Sequence, residues 1–278
     1  MSTLEPHYIT VGGHRLEYTW SGPPPDRAPT LVFLHEGLGC VSLWHDFPAA
    51  VAAATGCGAL VYSREGYGRS SPAAAPRPVT FLHHHAREVL PELLAALGVR
   101  DAFLIGHSDG ASIALLYAGA MQPSARVLAI ACLAPHVFVE AQTVASITRL
   151  RDAYATTSSV VRTSLHRHHG PDTDRTFHGW ADVWLSPAFT AWNIEDVLPR
   201  ITCPVLVVQG DDDEYGSLRQ VDAIAAGTAG PVTTRPLAGC GHAPHRERRA
   251  ETVAAIVELV RSAVPGSTGA AAGATIEG

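Results

Sequence analysis

A serine between two glycines, at the junction of a predicted strand and a predicted helix, constrains this 278-residue chain more than any other feature. The apolar segment 101–107 leads into Gly106-x-Ser108-x-Gly110, and the Ala-rich, helix-compatible segment 111–121 follows directly. A strand that enters a sharp turn before a helix places a serine hydroxyl above the end of a sheet. Glycines beside the serine allow the strand and the helix to approach closely. The pattern therefore predicts that Ser108 is a nucleophile, provided that a base, an acid and an oxyanion site occur elsewhere in the chain.

Apolar strands and helical segments alternate along the chain. The predicted strands cover residues 30–35, 58–63, 101–107, 126–134, 204–210 and 231–237, and the predicted helices cover residues 44–55, 80–97, 109–121, 216–227 and 248–263. Residues 7–11 and 15–20 predict an antiparallel hairpin at the sheet edge. Nearly continuous apolar strands that alternate with helices are typical of a parallel sheet covered on both faces. We therefore expect an α/β fold with a mainly parallel central sheet of about eight strands and helices on both faces.

Residues 136–198 interrupt this alternation, and their helical pattern predicts a cap inserted over the active site. The predicted core then consists of residues 1–135 and 199–264. Residues 265–278 are rich in glycine and alanine and are expected to form a flexible tail.

Two downstream loops carry the candidate acid and base. The apolar strand 204–210 runs into the acidic run Asp211-Asp212-Asp213-Glu214, and a Gly-rich loop that contains His242 precedes the last predicted helix. Positions 108, 213 and 242 are separated by intervals of 105 and 29 residues, which leave room for an inserted cap and for one helix with one strand. The carboxyl ends of parallel strands meet at one edge of a sheet, so we expect these residues to converge on Ser108.

With these motifs the chain resembles the α/β-hydrolase superfamily over residues 7–263. The resemblance implies a serine hydrolase whose catalytic triad follows the chain order serine, acid, histidine. Gly210-x-x-Asp213 matches the family's position for the acid, and Asp211 and Asp212 are adjacent alternatives. Because the nucleophile is serine, the resemblance does not extend to haloalkane dehalogenases or epoxide hydrolases, which use aspartate there.

The resemblance also implies an oxyanion site after the strand 30–35. The backbone N–H of Gly37 or Leu38 would join that of Asp109 to bind the developing oxyanion. Glu36 stands where the family usually has glycine. Its side chain is expected either to face substrate or to pair with Arg64 or Arg69.

Aromatic residues predict the walls of the substrate pocket. Trp180 and Trp184 in the cap, together with Trp44 and Phe138, indicate a pocket for an apolar or aromatic acyl or alcohol group. Histidine clusters at 83–85 and 166–169 raise the alternative of a zinc site. Consecutive histidines on a helix point in different directions, so no metal is predicted, and no cofactor is required.

The formal net charge of −6 and the absence of a basic run argue against nucleic acid as a partner. The five cysteines are scattered and odd in number, and no apolar run is long enough to span a bilayer. We expect a cytoplasmic protein without membrane contact that acts on a small acyl compound, and a homodimer is left open.

The sequence predicts cleavage of a small carboxylic ester, lactone or thioester through an acyl-enzyme. One alternative is a carbon–carbon bond hydrolase of a ring-cleavage product, in which Arg149, Arg151 or Arg162 of the cap would bind a carboxylate. The other alternative is a slow or non-catalytic ligand sensor on the same fold.

Overall fold

Eight strands form one sheet in the computed structural model, which describes residues 5–120 and 124–263. The strands are β1 (His7–Val11), β2 (His14–Ser21), β3 (Thr30–Leu34), β4 (Gly58–Tyr62), β5 (Asp101–His107), β6 (Arg126–Leu133), β7 (Val205–Gly210) and β8 (Val232–Leu237). Their order across the sheet is β1-β2-β4-β3-β5-β6-β7-β8. β1 and β2 pair antiparallel, β2 pairs antiparallel with β4, and β3 to β8 are parallel, which confirms the predicted sheet and its edge hairpin. The expected tail 265–278 lies outside the described residues.

The central strands are apolar on both faces because both faces of the sheet are covered. Along β3, Val32 and Leu34 pack into one hydrophobic core, whereas Leu31 and Phe33 pack into a second core on the other face. Successive side chains of a strand point to opposite faces, so a strand buried on both sides has no polar position to alternate with. This explains the continuous apolar runs of the sequence.

Helices cover both faces of the sheet. They are α1 (Phe47–Thr55), α2 (Phe81–His84), α3 (Leu90–Ala96), α4 (Asp109–Ala118), α5 (Ala141–Ala155), α6 (Val160–His169), α7 (Thr173–Trp184), α8 (Arg219–Gly227), α9 (Pro244–Glu247) and α10 (Arg249–Ala263). One π-helical turn, His85–Val89, joins α2 to α3, so the helix predicted over 80–97 is continuous but not uniformly α-helical. Buried residues of α1 and α10 belong to the core that contains Phe33, and those of α4 belong to the opposite core.

Between β6 and β7 the chain forms α5, α6 and α7, which we call the helical insertion (residues 141–184). α7 contacts both α5 and α6. It carries Trp180 and Trp184 on one face, four positions apart, as expected for a helix that buries one stripe. The insertion therefore brings aromatic side chains to the carboxyl ends of the strands, where ligands bind in open α/β sheets.

Candidate active site

The turn after β5 holds Ser108 in a strained conformation. Its φ of 53° and ψ of −119° lie in a region that non-glycine residues rarely adopt. The N–H of Ser108 donates to the carbonyl of Leu133 in β6, and α4 begins at the next residue. A Cβ at Gly110 would lie 1.9 Å from the carbonyl oxygen of Leu34, so only glycine permits this approach between helix and strand. The serine hydroxyl is thereby fixed at the carboxyl end of the sheet.

Two loops bring His242 and Asp213 to this hydroxyl. The Nε2 atom of His242 lies 3.0 Å from the Oγ of Ser108, and its Nδ1 lies 2.9 Å from both carboxylate oxygens of Asp213. A carboxylate only accepts, so Nδ1–H donates to Asp213 and Nε2 is free to accept the serine hydrogen. The three residues predicted to converge thus form one hydrogen-bonded chain.

Asp213 is stabilised as a carboxylate by several donors. Its oxygens accept hydrogen bonds from the Nε2 of Gln209 (2.6 Å) and the backbone N–H groups of Tyr215 (2.8 Å) and Gly216 (3.2 Å). Burial acts to raise the pKa of Asp213, but the hydrogen bond and charge of His242 outweigh it and lower the pKa below its usual value. The carboxylate therefore stays ionised and orients the imidazole.

The other two acidic candidates lie elsewhere in the same loop. Asp211 is exposed and accepts a hydrogen bond from the N–H of Gly239 (2.7 Å). Asp212 is also exposed, and its own N–H donates to the carbonyl of Cys240. Of the three aspartates, Asp213 is the one that contacts His242.

Residues 35–39, here called the oxyanion loop, lie beside Ser108 and are bound from several directions. The guanidinium of Arg64 donates to the carbonyl oxygens of His35 and Glu36, the latter at 2.9 Å. The Nδ1–H of His35 donates to the carbonyl of Glu36 (2.7 Å), and its Nε2 accepts the N–H of Arg64 (3.1 Å). Gly37 and Leu38 line the same cavity as Ser108. These hydrogen bonds hold the loop from several sides, which is what a preorganised oxyanion site needs.

Trp180 of α7 packs directly on this loop. A Cβ at Gly37 would lie 2.0 Å from the Nε1 of Trp180, so a glycine is required at this position. The N–H of Asp109 lies at the first turn of α4, where helical N–H groups lack intrahelical acceptors. Gly37, Leu38 and Asp109 line the same cavity as Ser108, and their role as oxyanion donors stays a prediction.

The side chain of Glu36 faces neither Arg64 nor Arg69 but His107. The Nε2–H of His107 donates to the carbonyl oxygen of His242 (2.7 Å), and its Nδ1 lies 3.5 Å from the Oε2 of Glu36. Burial acts to raise the pKa of Glu36, but the adjacent His107 outweighs it and holds that pKa well below its usual range. Arg64 instead contacts the backbone of Glu36, so the pairing expected between the two side chains is replaced by a backbone contact.

A cavity of about 110 Å³ lies between Ser108, His242 and the helical insertion. Its lining residues are Glu36, Gly37, Leu38, Ser108, Asp109, His136, Thr143, Ile147, Leu150, Trp180, Trp184, Tyr215 and His242. Thr143, Ile147 and Leu150 follow one face of α5 at helical spacing, and Trp180 and Trp184 come from α7. The cavity is mostly apolar with a few convergent polar groups, which is typical of a small-molecule site.

Two predicted pocket residues lie outside this cavity. Trp44 is buried on the other face of the sheet, where its ring contacts Phe33 and Phe47 at centroid distances of 5.3 and 6.1 Å. Phe138 packs against the core with Arg219 above its ring and forms a β-bridge with Asn193. The prediction that they wall the pocket is corrected, because both aromatic rings are used in packing.

His136 and Tyr215 contribute to the site although sequence reasoning did not identify them. The ring of Tyr215 lies 4.7 Å from that of His242, and the ring of His136 lies 5.7 Å away. Burial lowers the pKa of His136 to about 3, so this imidazole is neutral. Both residues follow the ends of parallel strands, and this position was the signal available in the sequence.

The histidine clusters do not assemble into a metal site. Within residues 5–120 and 124–263, no group of three His, Cys, Asp or Glu side chains is arranged to hold an ion. No helix of this part of the chain is both long and apolar enough to cross a membrane.

The site combines an oriented imidazole, a serine hydroxyl and a rigid loop with backbone N–H groups. Such an arrangement can transfer a proton from serine to histidine and stabilise negative charge on an attacked carbonyl oxygen. It fits acyl transfer chemistry.

Comparisons with known proteins agree with this architecture. A family model described as the alpha/beta hydrolase family matches residues 31–256. The serine hydrolase BPHL of Homo sapiens is 29% identical over 157 residues, which is 55% of this chain and 53% of that protein. Epoxide hydrolase B of Mycobacterium tuberculosis is 28% identical over 115 residues, which is 40% of this chain and 30% of that protein. The matched regions thus span about a third to a half of the length of these curated relatives.

A solved structure extends the similarity over most of the chain. The enol-lactonase from Burkholderia xenovorans LB400 superposes with a TM-score of 0.69 and 20% identity, and the match covers 91% of this chain and 99% of that one. At this identity the similarity concerns the fold.

Proposed function

The chain belongs to the alpha/beta hydrolase family, and on that premise we propose that it is a serine hydrolase that cleaves a small, neutral carboxylic ester, lactone or thioester. The hydrogen-bonded chain from the Oγ of Ser108 through His242 to Asp213 carries this proposal. No cofactor takes part in the proposed reaction.

In the first half of the reaction His242 is the general base. Its Nε2, 3.0 Å from the serine oxygen, takes the hydroxyl proton as Oγ attacks the substrate carbonyl. Asp213 stabilises the imidazolium that forms, and the N–H groups near Gly37 and of Asp109 bind the oxyanion of the tetrahedral intermediate. His242 then protonates the leaving alcohol or thiol, and Ser108 is left acylated.

In the second half His242 activates water. The imidazole takes a proton from water, the hydroxide attacks the acyl carbon, and the same N–H groups bind the second oxyanion. When the intermediate collapses, the ester bond to Ser108 breaks and His242 returns the proton to Oγ. The carboxylic acid is released and the serine is restored.

The size of the cavity favours a small acyl group. An apolar cavity of about 150 Å³ accommodates benzene, whereas the cavity beside Ser108 measures about 110 Å³. The acyl group in our proposal is therefore smaller than an aromatic ring, and a larger alcohol part would extend toward solvent.

The charges of the cavity favour a neutral substrate. Glu36 and Asp109 line it, and no arginine is found among its described lining residues. The cap arginines that would bind the carboxylate of a ring-cleavage product have other partners. Arg149 donates to Ser146, Arg151 pairs with Asp152, and Arg162 pairs with Asp174. Ester, lactone and thioester cleavage is therefore better supported than carbon–carbon bond cleavage.

The relatives support the same choice. One is a serine hydrolase, and the superposed enol-lactonase cleaves, by its name, a lactone. Epoxide hydrolase B matches a smaller part of the chain, and the serine at position 108 favours an acyl-enzyme over epoxide opening.

The proposal is tested by hydrolysis of p-nitrophenyl acetate and butyrate, a γ-lactone and acetyl-CoA, each with wild type, Ser108→Ala and Ser262→Ala. We expect turnover of at least one class, its loss in Ser108→Ala, and wild-type rates in Ser262→Ala, because Ser262 lies at the end of α10. A fluorophosphonate probe should label Ser108. A wild-type protein that hydrolyses none of these substrates and resists the probe would contradict the enzyme proposal and favour a ligand sensor.

A further inference from the structure

One residue of the helical insertion makes a hydrogen bond to the oxyanion loop. His169, the last residue of α6, is 3% exposed. Its Nε2 lies 3.0 Å from the carbonyl oxygen of Leu38, and its Nδ1 lies 3.0 Å from the backbone nitrogen of Gly68. A single imidazole therefore joins three separate segments of the chain.

The two partners fix the tautomer of this ring. The carbonyl of Leu38 only accepts, so Nε2 must carry a hydrogen, and the N–H of Gly68 only donates, so Nδ1 must be unprotonated. The bridge therefore exists only while His169 is neutral. Protonation of Nδ1 would place two hydrogens between Nδ1 and the nitrogen of Gly68. The hydrogen bond from Gly68 would then be lost.

The ring holds the loop at its functional end. Leu38 lines the catalytic cavity, and its N–H is one of the candidate oxyanion donors. The carbonyl and that N–H belong to the same residue, so the hydrogen bond from His169 restrains the residue that carries the candidate donor. Gly68 belongs to the turn after β4, which is bound independently because the N–H of the neighbouring Arg69 donates to Glu17 (2.9 Å). His169 thus links the oxyanion loop to the turn after β4, in addition to the hydrogen bonds that Arg64 of the same turn makes to His35 and Glu36.

We propose that His169 is a positioning residue that holds the oxyanion loop in its catalytic conformation through a neutral imidazole. The inference rests on the proposed acyl transfer at Ser108, and it adds one residue of the helical insertion to those that support this reaction.

The surroundings favour the neutral ring. Burial lowers the pKa of His169 from its ordinary value, and the backbone hydrogen bond to Leu38 opposes this shift only in part. The titratable and charged groups near the ring are His168 on its own helix, His35 and Glu36 in the oxyanion loop, Arg77, and Tyr67 at a ring distance of 6.2 Å. Acid should therefore break the bridge by protonating His169.

The inference is tested with His169→Gln, His169→Phe and the control His168→Gln, using the p-nitrophenyl ester that wild type cleaves. The Gln amide can accept from Gly68 and donate to Leu38 without titrating, whereas Phe fills the space without either bond. His168 contacts the side chain of Ser42 (2.8 Å) and does not line the cavity. Measurements of kcat and KM from pH 5 to pH 9, with the thermal midpoint of each variant, separate positioning from folding.

We expect His169→Phe to lower kcat by about tenfold, less than the roughly 100-fold that the loss of a whole oxyanion donor costs, with a smaller change in KM. His169→Gln should keep most of the wild-type kcat, because the Gln amide can replace both hydrogen bonds of the imidazole. His168→Gln should match wild type.

Two results would overturn the inference while leaving the proposed function intact. One is an active wild type with an unchanged kcat in His169→Phe. The other is a His169→Gln variant that loses as much kcat as His169→Phe although its thermal midpoint matches that of wild type. If wild type itself neither hydrolyses esters nor reacts with the fluorophosphonate, the proposed function fails, and the inference fails with it.

Discussion

Asp213 and His242, 29 positions apart in the chain, are joined by two contacts of 2.9 Å between one imidazole nitrogen and both carboxylate oxygens. The Asp213 side chain is fully buried and that of His242 is 16% exposed. The acid is thus shielded from water, while the base remains accessible to substrate.

Asp213→Asn should lower kcat by about 10⁴-fold, as expected when the orienting carboxylate of a triad becomes an amide that stabilises the wrong tautomer. The adjacent Asp212→Asn is the matched control and should retain wild-type kcat, since this side chain is exposed. Steady-state hydrolysis of a p-nitrophenyl ester by both variants measures the effect. Equal losses in the two variants would mean that the acid is not uniquely Asp213.

The convergence of Ser108, Asp213 and His242 could be predicted because it depends on local patterns and chain order. Each residue follows the end of a parallel strand or precedes a helix, and those features leave clear apolar and glycine signals. The choice among Asp211, Asp212 and Asp213 could not be derived from the residues alone. It depends on which carboxylate turns inward to meet Gln209 and the N–H groups of Tyr215 and Gly216, and that is decided by the three-dimensional loop.

Gly37→Ala should lower kcat by about 10- to 100-fold, because its Cβ would lie 2.0 Å from the indole nitrogen of Trp180 and the oxyanion loop would have to shift. Trp180→Ala in the same chain removes the clash, so the double variant should recover part of the activity relative to Gly37→Ala alone. Kinetics of the two single variants and the double variant form a double-mutant cycle. If the loss of kcat in the double variant equals the product of the two single losses, residues 37 and 180 do not contact each other directly.

The walls of the pocket were harder to predict than its catalytic residues. Trp44 and Trp180 are both tryptophans in helical segments, yet Trp44 packs on the face of the sheet that carries α1, and Trp180 roofs the cavity. Nothing in the local sequence distinguishes the two, since the side of the sheet that a segment covers is set by long-range packing. The sequence shows that Glu36 replaces the glycine usual in the family. It does not show the partner of Glu36, because His107 lies 71 positions away, at the end of β5.

Glu36→Gln should destabilise the protein by about 1 kcal/mol at pH 7, because the folded protein favours the ionised carboxylate of Glu36 and the amide loses this stabilisation. The pKa of Glu36 is held well below its ordinary value, so this contribution is present above about pH 4.5 and disappears as the pH falls through the lower value of the folded state. Urea unfolding of both proteins at pH 7, 5 and 4 measures the difference. A difference in unfolding free energy that grows between pH 5 and pH 4 would contradict the lowered pKa of Glu36.

Asp109 presents the opposite case, a buried carboxyl group whose burial outweighs the nearby positive charges. It is 1% exposed, and neither of its carboxylate oxygens has a hydrogen-bond partner among the residues that the structure describes. Burial raises its pKa to about 6, while the charge of Arg64 opposes the shift. The folded protein therefore binds a proton here more readily than the unfolded chain, whose carboxyl group titrates near pH 3.8. As the pH rises from 3.8 to about 6, ionisation of Asp109 therefore lowers the free energy of unfolding.

Asp109→Asn should remove that cost, because the amide does not ionise. The free energy of unfolding of the variant should rise relative to that of wild type between about pH 4 and pH 6. The difference should reach an amount on the order of 3 kcal/mol and stay constant at higher pH. Its backbone N–H is retained, so the oxyanion site is preserved. Urea unfolding from pH 4 to pH 8 measures the difference, and exposed Asp212→Asn should give a flat difference over the same range. A flat curve for Asp109→Asn as well would mean that the Asp109 carboxyl group is already ionised at acid pH, with a partner or solvent access that lowers its pKa.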